Sequence, residues 1–93
     1  MRERTIERKL VKAIKNSGGI ALKFVCQNYD GMPDRIILMP GGKMFFVEVK
    51  SPGETPRPLQ KARHMMLRRL GFTVYLVDSE QHIGEIVDAI YTT

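Results

Sequence analysis

The sequence predicts an α/β fold in which four strands form one mixed sheet flanked by helices, in the order αβββαβα. Three observations carry that expectation. Ile6, Leu10, Val11 and Ile14 recur at helical spacing among Arg and Lys. Two β-rich runs, Arg35 to Met39 and Phe45 to Lys50, flank Pro40-Gly41-Gly42-Lys43, the composition of a tight hairpin connection. A second amphipathic helix and a β-branched run then follow a proline-rich break.

The first helix is expected over roughly 4–17, closed by Gly18-Gly19. Ile20 to Cys26 alternates as a strand, and Gln27 to Pro33 is a polar loop leading into the hairpin. Ser51 to Pro58 holds three prolines, a glycine and no aliphatic residue, so it cannot extend the strand and is the segment expected to move most. Thr55 and Pro56 match an N-cap and first helical position. A helix over roughly 56–70 then carries Leu59, Ala62, Met66 and Leu70 as one apolar stripe, closed by Gly71. Phe72 to Val77 is the fourth strand, and Ser79 caps a last helix with Ile83, Ile86, Val87 and Ile90 inward. No internal repeat or linker interrupts the chain, which reads as one domain over residues 1–93.

Composition bounds the partners. A hydrophobic fraction of 43% with 27% charged residues excludes a disordered chain. Fifteen Lys and Arg against ten Asp and Glu give a net charge of +5, a surface suited to a polyanion such as nucleic acid. Cys26 is the only cysteine, so no intrachain disulfide forms; the residue reads as a small buried hydrophobe in a reducing compartment. No apolar run reaches the roughly 20 residues of a membrane span, and the N-terminal MRERTIERK lacks a signal-peptide stretch. An intracellular, cytoplasmic protein without a membrane partner is expected, in the host cytoplasm if the chain is phage-encoded.

Asp34, Glu48 and Lys50 carry the chemistry. A period of two places Phe46, Glu48 and Lys50 on one face of their strand and Phe45, Val47 and Val49 on the other. Folding the hairpin brings Asp34 beside Glu48. They share a face only if the connection has an odd number of residues, such as three, because a one-residue slip reverses every side chain. Two carboxylates without clustered His or Cys suit a hard ion, Mg²⁺ or Mn²⁺, and the Val49 carbonyl is a plausible third oxygen. An ion so held supports phosphodiester cleavage by activating water and offsetting negative charge. Lys50, on the Glu48 face, would hold the attacking water or accept its proton, so its loss should leave metal binding intact and stop cleavage. Without that chemistry, Glu48 and Lys50 are a solvent-facing pair on an amphipathic strand and Asp34 begins a strand after Pro33.

Gly31-x-Pro33-Asp34, then Glu48-Val49-Lys50 and a helix bearing Gln60, resemble the PD-(D/E)xK nuclease superfamily and, within it, the VRR-NUC (virus-type replication-repair nuclease) branch. The resemblance covers nearly the whole chain and implies a restriction-endonuclease-like αβββαβ core. It implies Asp34 and Glu48 as metal ligands, Lys50 acting on the nucleophile, and Gln60 and Glu7 completing the site, with Glu3, one helical turn earlier, as the alternative to Glu7. Stand-alone members of the family are homodimers that cut branched DNA such as four-way junctions, whereas members fused to other domains act as monomers on flaps. A phage-type dimeric Holliday-junction resolvase is therefore the implied function.

Read from the residues alone, Glu7 is as well explained by an exposed ion pair, and Gln60 by a solvent-facing position. Arg35, Arg57 and Lys61, beside the site, are candidates for DNA phosphate contacts, which position a backbone without reading bases. The other basic residues of the two helices, Arg63 and Arg68 among them, read as solvated faces. His64 and His82 lack zinc-ligand spacing and read as surface residues. Met65 and Met66, with Ile83 to Ile90, would supply apolar dimer surface if they were not core. The rivals are a monomeric flap or nicking nuclease and a non-catalytic basic nucleic-acid-binding domain.

Overall fold

A computed structural model describes residues 2–92. Helix α1 covers Glu3–Asn16. Its residues Ile6, Leu10 and Ile14 are fully buried, and each such side chain stabilises the fold by roughly 1.5–3 kcal/mol. The sheet contains β1 (Ile20–Lys23), β2 (Arg35–Met39), β3 (Lys43–Val49) and β4 (Val74–Val77), in the spatial order β1-β2-β3-β4. The first two pairings are antiparallel and β3/β4 is parallel, so α2 (Pro58–Arg69) serves as the crossover helix that a parallel pair requires. A last helix, α3, spans Glu80–Thr92.

The strands' period of two divides the molecule into layers. Ile37, Phe45, Val47, Val49 and Val77 face α1 and α3 and pack with Ile6, Leu10, Ile83, Ile86 and Ile90. On the other face, Phe46 and Val74 pack with Leu67 of α2, and the Phe46 ring meets Phe24 and Phe72 at 5.8 and 5.7 Å between centroids. Ser79 Oγ accepts from the His82 N–H at 3.2 Å and caps α3. Ile83, Ile86 and Ile90 are core, so they supply no dimer surface.

Met39 pairs with Lys43 and Arg35 with Val47, leaving a three-residue connection, Pro40–Gly42. Gly41 and Gly42 adopt φ of +83° and +75°, the left-handed region where a Cβ is costly. The odd count fixes the register so that Asp34, one residue before β2, opposes Glu48 on the α2 face.

Several boundaries depart from the sequence reading. β1 stops at Lys23, not Cys26, because its partner strand begins at Arg35, opposite Lys23. Val25 is exposed and Cys26 only half-buried. Phe72 and Thr73 precede β4, although the Thr73 carbonyl accepts from Phe46 N–H at 2.9 Å. α2 takes Arg57 as N-cap and Pro58 in its first turn, rather than Thr55 and Pro56. Both pairs fit the proline preference of a first turn.

Candidate active site

The loop before β2 delivers Asp34. Gly31 has φ +89°, and a Cβ there would lie 2.9 Å from Leu59 Cγ and 3.1 Å from Arg63 Cγ. The G-x-P-D lead-in thus needs glycine both for its backbone and for its close approach to α2. Arg63, expected on a solvated face, clamps this loop: its Nε donates to the Asp30 carbonyl at 2.8 Å and its guanidinium lies 3.9 Å from the Tyr29 ring centre. Arg68 is likewise engaged, with Nη2 donating to the Val74 carbonyl at 2.9 Å.

Asp34 Oδ2 accepts the Val49 N–H at 2.8 Å. Burial pushes the Asp34 carboxyl up from 3.8 to about 6; the Val49 N–H opposes that rise, while the Glu48 carboxylate and the more remote Glu3 add to it. A half-buried Asp34 facing a buried Glu48 is an unfavourable arrangement for an isolated protein and a favourable one for a cation.

Glu48 is only 1% exposed, so its charge needs partners. Its Oε2 accepts from Gln60 Nε2 at 3.3 Å and lies 3.7 Å from Lys50 Nζ. His64 Nε2 lies 3.3 Å from Oε1. Gln60 Oε1 accepts the Arg57 backbone N–H at 2.8 Å, which satisfies an orphan donor of the first helical turn and turns the Nε2 end toward Glu48. Lys50 is anchored by its own N–H, which donates to the Val77 carbonyl at 2.8 Å.

This buried polar cluster overturns two expectations. His64 is 4% exposed rather than a surface residue, and the inward line of α2 is Gln60, His64 and Leu67 rather than Leu59, Ala62, Met66 and Leu70. Leu59 and Leu70 are 46% and 66% exposed. A reading that turns apolar residues inward fails where the sheet presents a buried carboxylate. Spacing i, i+4 from Gln60 is the signal that identifies His64. His82 stands 2.8 Å from Asp78 Oδ1 and is half-buried.

In α1, Glu7 Oε2 stands 3.5 Å from Arg35 Nε, while Glu3 is the helix-one acid whose charge is felt at Asp34. Arg35 lies on the α1 side of the sheet; its Nη1 donates to the Ala21 carbonyl at 3.3 Å. Arg57 and Lys61 are exposed. Arg57 also borders a cavity of about 400 Å³ lined by Asp30, Gly31, Pro58, Leu59 and Gln60, immediately beside the carboxylate cluster.

Among the described residues, no group of three His, Cys, Asp or Glu side chains is arranged to hold an ion alone. The donor set nevertheless fits Mg²⁺ or Mn²⁺, which commonly takes one or two carboxylates and completes its shell with water. Asp34 and Glu48 are hard oxygen donors. Since the Lys50 N–H bonds β4 and the Val49 N–H bonds Asp34, the Val49 carbonyl lies on the Asp34 side of its strand.

The family model described as the VRR-NUC domain matches residues 2–81. A protein of Acyrthosiphon pisum secondary endosymbiont phage 1, named "Putative nuclease p44", is 44% identical over 90 residues, which cover 97% of this chain and 96% of that protein. A solved structure described as a VRR_NUC domain superimposes with a TM-score of 0.88 at 26% identity, covering 92% of this chain and 94% of that one.

Proposed function

We propose, from the premise that this chain belongs to the VRR-NUC family of nucleases, that it is a divalent-metal-dependent endonuclease selective for branched DNA and acts as a homodimer on four-way junctions. The observation that carries the catalytic part is the hairpin register, which sets Asp34 against Glu48 with Lys50 Nζ 3.7 Å from the Glu48 carboxylate.

Asp34 and Glu48 would hold the cation, with the Val49 carbonyl as a third oxygen. When bound, the cation supplies positive charge against the phosphate oxygens and lowers the pKa of water. Lys50 orients the attacking water from the Glu48 side and presents its ammonium toward the phosphate. Gln60 fixes Glu48 through Nε2. Of the two helix-one acids, Glu3 is better placed than Glu7 to add negative charge, because Glu7 is engaged with Arg35.

Arg57, on the cavity beside Gln60, and the exposed Lys61 would grip DNA phosphates. Arg35 would support that grip indirectly, through the strand it braces. Selectivity for structure over sequence follows, since phosphate contacts carry no base information directly. The dimer is supported by family resemblance and by an apolar row on the α2 face, where Ile20, Leu22, Leu38 and Met44 are 37–51% exposed. Symmetric cuts in two strands require a two-fold pair of sites.

The test incubates wild type and Asp34→Asn with plasmid, flapped, linear and four-way-junction DNA in Mg²⁺ or Mn²⁺. Wild type should cut the junction and D34N should not. Equal activity in both would remove Asp34 from the site. Sedimentation with and without junction tests assembly, and a monomer on the junction would replace the resolvase reading with a flap or nicking nuclease.

A further inference from the structure

We propose that His64 is a positioning residue for the cation site, holding the Glu48 carboxylate in its ligating orientation before any ion arrives. The inference rests on the nuclease reading above and adds to it a group that the D…ExK pattern does not contain.

His64 and Glu48 are 4% and 1% exposed, and Nε2 stands 3.3 Å from Oε1. A carboxylate that ligates a cation only accepts hydrogen bonds, so in that role of Glu48 the His64 Nε2 is the donor at this contact. Gln60, one turn earlier, donates to the other oxygen at 3.3 Å. Two donors from one face of α2 therefore grip the two oxygens of one carboxylate. Each oxygen has two acceptor positions; Lys50 Nζ also stands 3.7 Å from Oε2, so it is Oε1 that keeps a position for an ion shared with Asp34.

Packing alone does not account for histidine here. The next inward position of the helix is Leu67, and an aliphatic residue at 64 would fill space without a polar group to satisfy. With an aliphatic residue, only Gln60 would hold Glu48 from the helix. The terminal carboxylate torsion, which is intrinsically broad, would then be free to turn away from Asp34.

The experiment titrates the full chain with Mn²⁺ alone, following free Mn²⁺ by electron paramagnetic resonance, for wild type, His64→Leu, His64→Gln and His64→Asn. Cleavage is measured against Mn²⁺ concentration in parallel. Partners that orient metal ligands typically contribute 10–100-fold in affinity, so H64L should bind Mn²⁺ about 10–100-fold more weakly and regain cleavage when Mn²⁺ is raised. H64Q, whose amide nitrogen substitutes for Nε2, should stay within about threefold of wild type, a small fraction of that loss. If H64L does not fold, H64N takes its place, since its shorter amide falls away from Glu48 and should lose affinity similarly.

Wild-type affinity in H64L or H64N, or a loss in H64Q as large as theirs, would overturn the assignment while leaving the nuclease reading intact. Conversely, wild type that binds Mn²⁺ with the predicted His64 dependence but cuts none of the DNA panel would remove the nuclease reading and leave the assignment standing.

Discussion

Asp34→Asn should make the cation-free protein more stable, by a margin that grows from about pH 4 and is complete above about pH 6. The Asp34 carboxyl is raised from 3.8 to about 6 by burial, with the Glu48 charge adding to the rise and the Val49 N–H opposing it. A folded-state value above the unfolded one means that the contribution is fully present below about pH 4 and is lost as pH rises through about 6. At 1.36 kcal/mol per pH unit, a rise of about two units corresponds to about 3 kcal/mol for a fully buried group. Asp34 is half-buried, and solvent screening reduces the figure to about 1 kcal/mol. Asparagine keeps an acceptor for the Val49 N–H and cannot ionise. In a chelator, D34N should therefore melt about 4–8 °C above wild type at pH 8 and within about 2 °C of it at pH 4. Circular dichroism melts of both proteins across that range make the measurement. An advantage of equal size at both pH values, or none at pH 8, would refute the argument that charge crowding at Asp34 costs stability.

Lys50→Ala should lower cleavage by about 10²–10⁴-fold at saturating Mn²⁺, the usual range for a lost proton-handling group. Its Mn²⁺ affinity should match wild type, as equilibrium titration would show. Gly31→Ala should destabilise the protein by about 1–3 kcal/mol, because φ +89° is strained for alanine and the new methyl meets Leu59 and Arg63. A urea midpoint equal to wild type would count against the close packing of the loop on α2.

The site was legible in the sequence wherever one local rule decided it. Alternation along Phe45 to Lys50 separates the core face from the polar face, whereas the face that Asp34 joins depends on an odd loop length, which the Met39–Lys43 pairing supplies. The αβββαβα order follows from similarly local punctuation. What sequence reading missed depends on tertiary pairing. His64 looks like a surface residue until Glu48 is known to be buried beneath α2, when a polar inward line becomes the favourable one. Arg63 resembles any exposed helical arginine, because its partners Tyr29 and the Asp30 carbonyl lie more than thirty positions away in the chain. Glu7 and Glu3 are one turn apart, and only the position of Arg35 distinguishes their surroundings.

Whether Asp34 and Glu48 share one cation is decided by anomalous diffraction from crystals grown with Mn²⁺. A single strong peak is expected within ligating distance, about 2.0–2.4 Å, of carboxylate oxygens from both Asp34 and Glu48. Saturating Mn²⁺ that leaves this pair empty, or that occupies a site touching neither carboxylate, would contradict a shared cation.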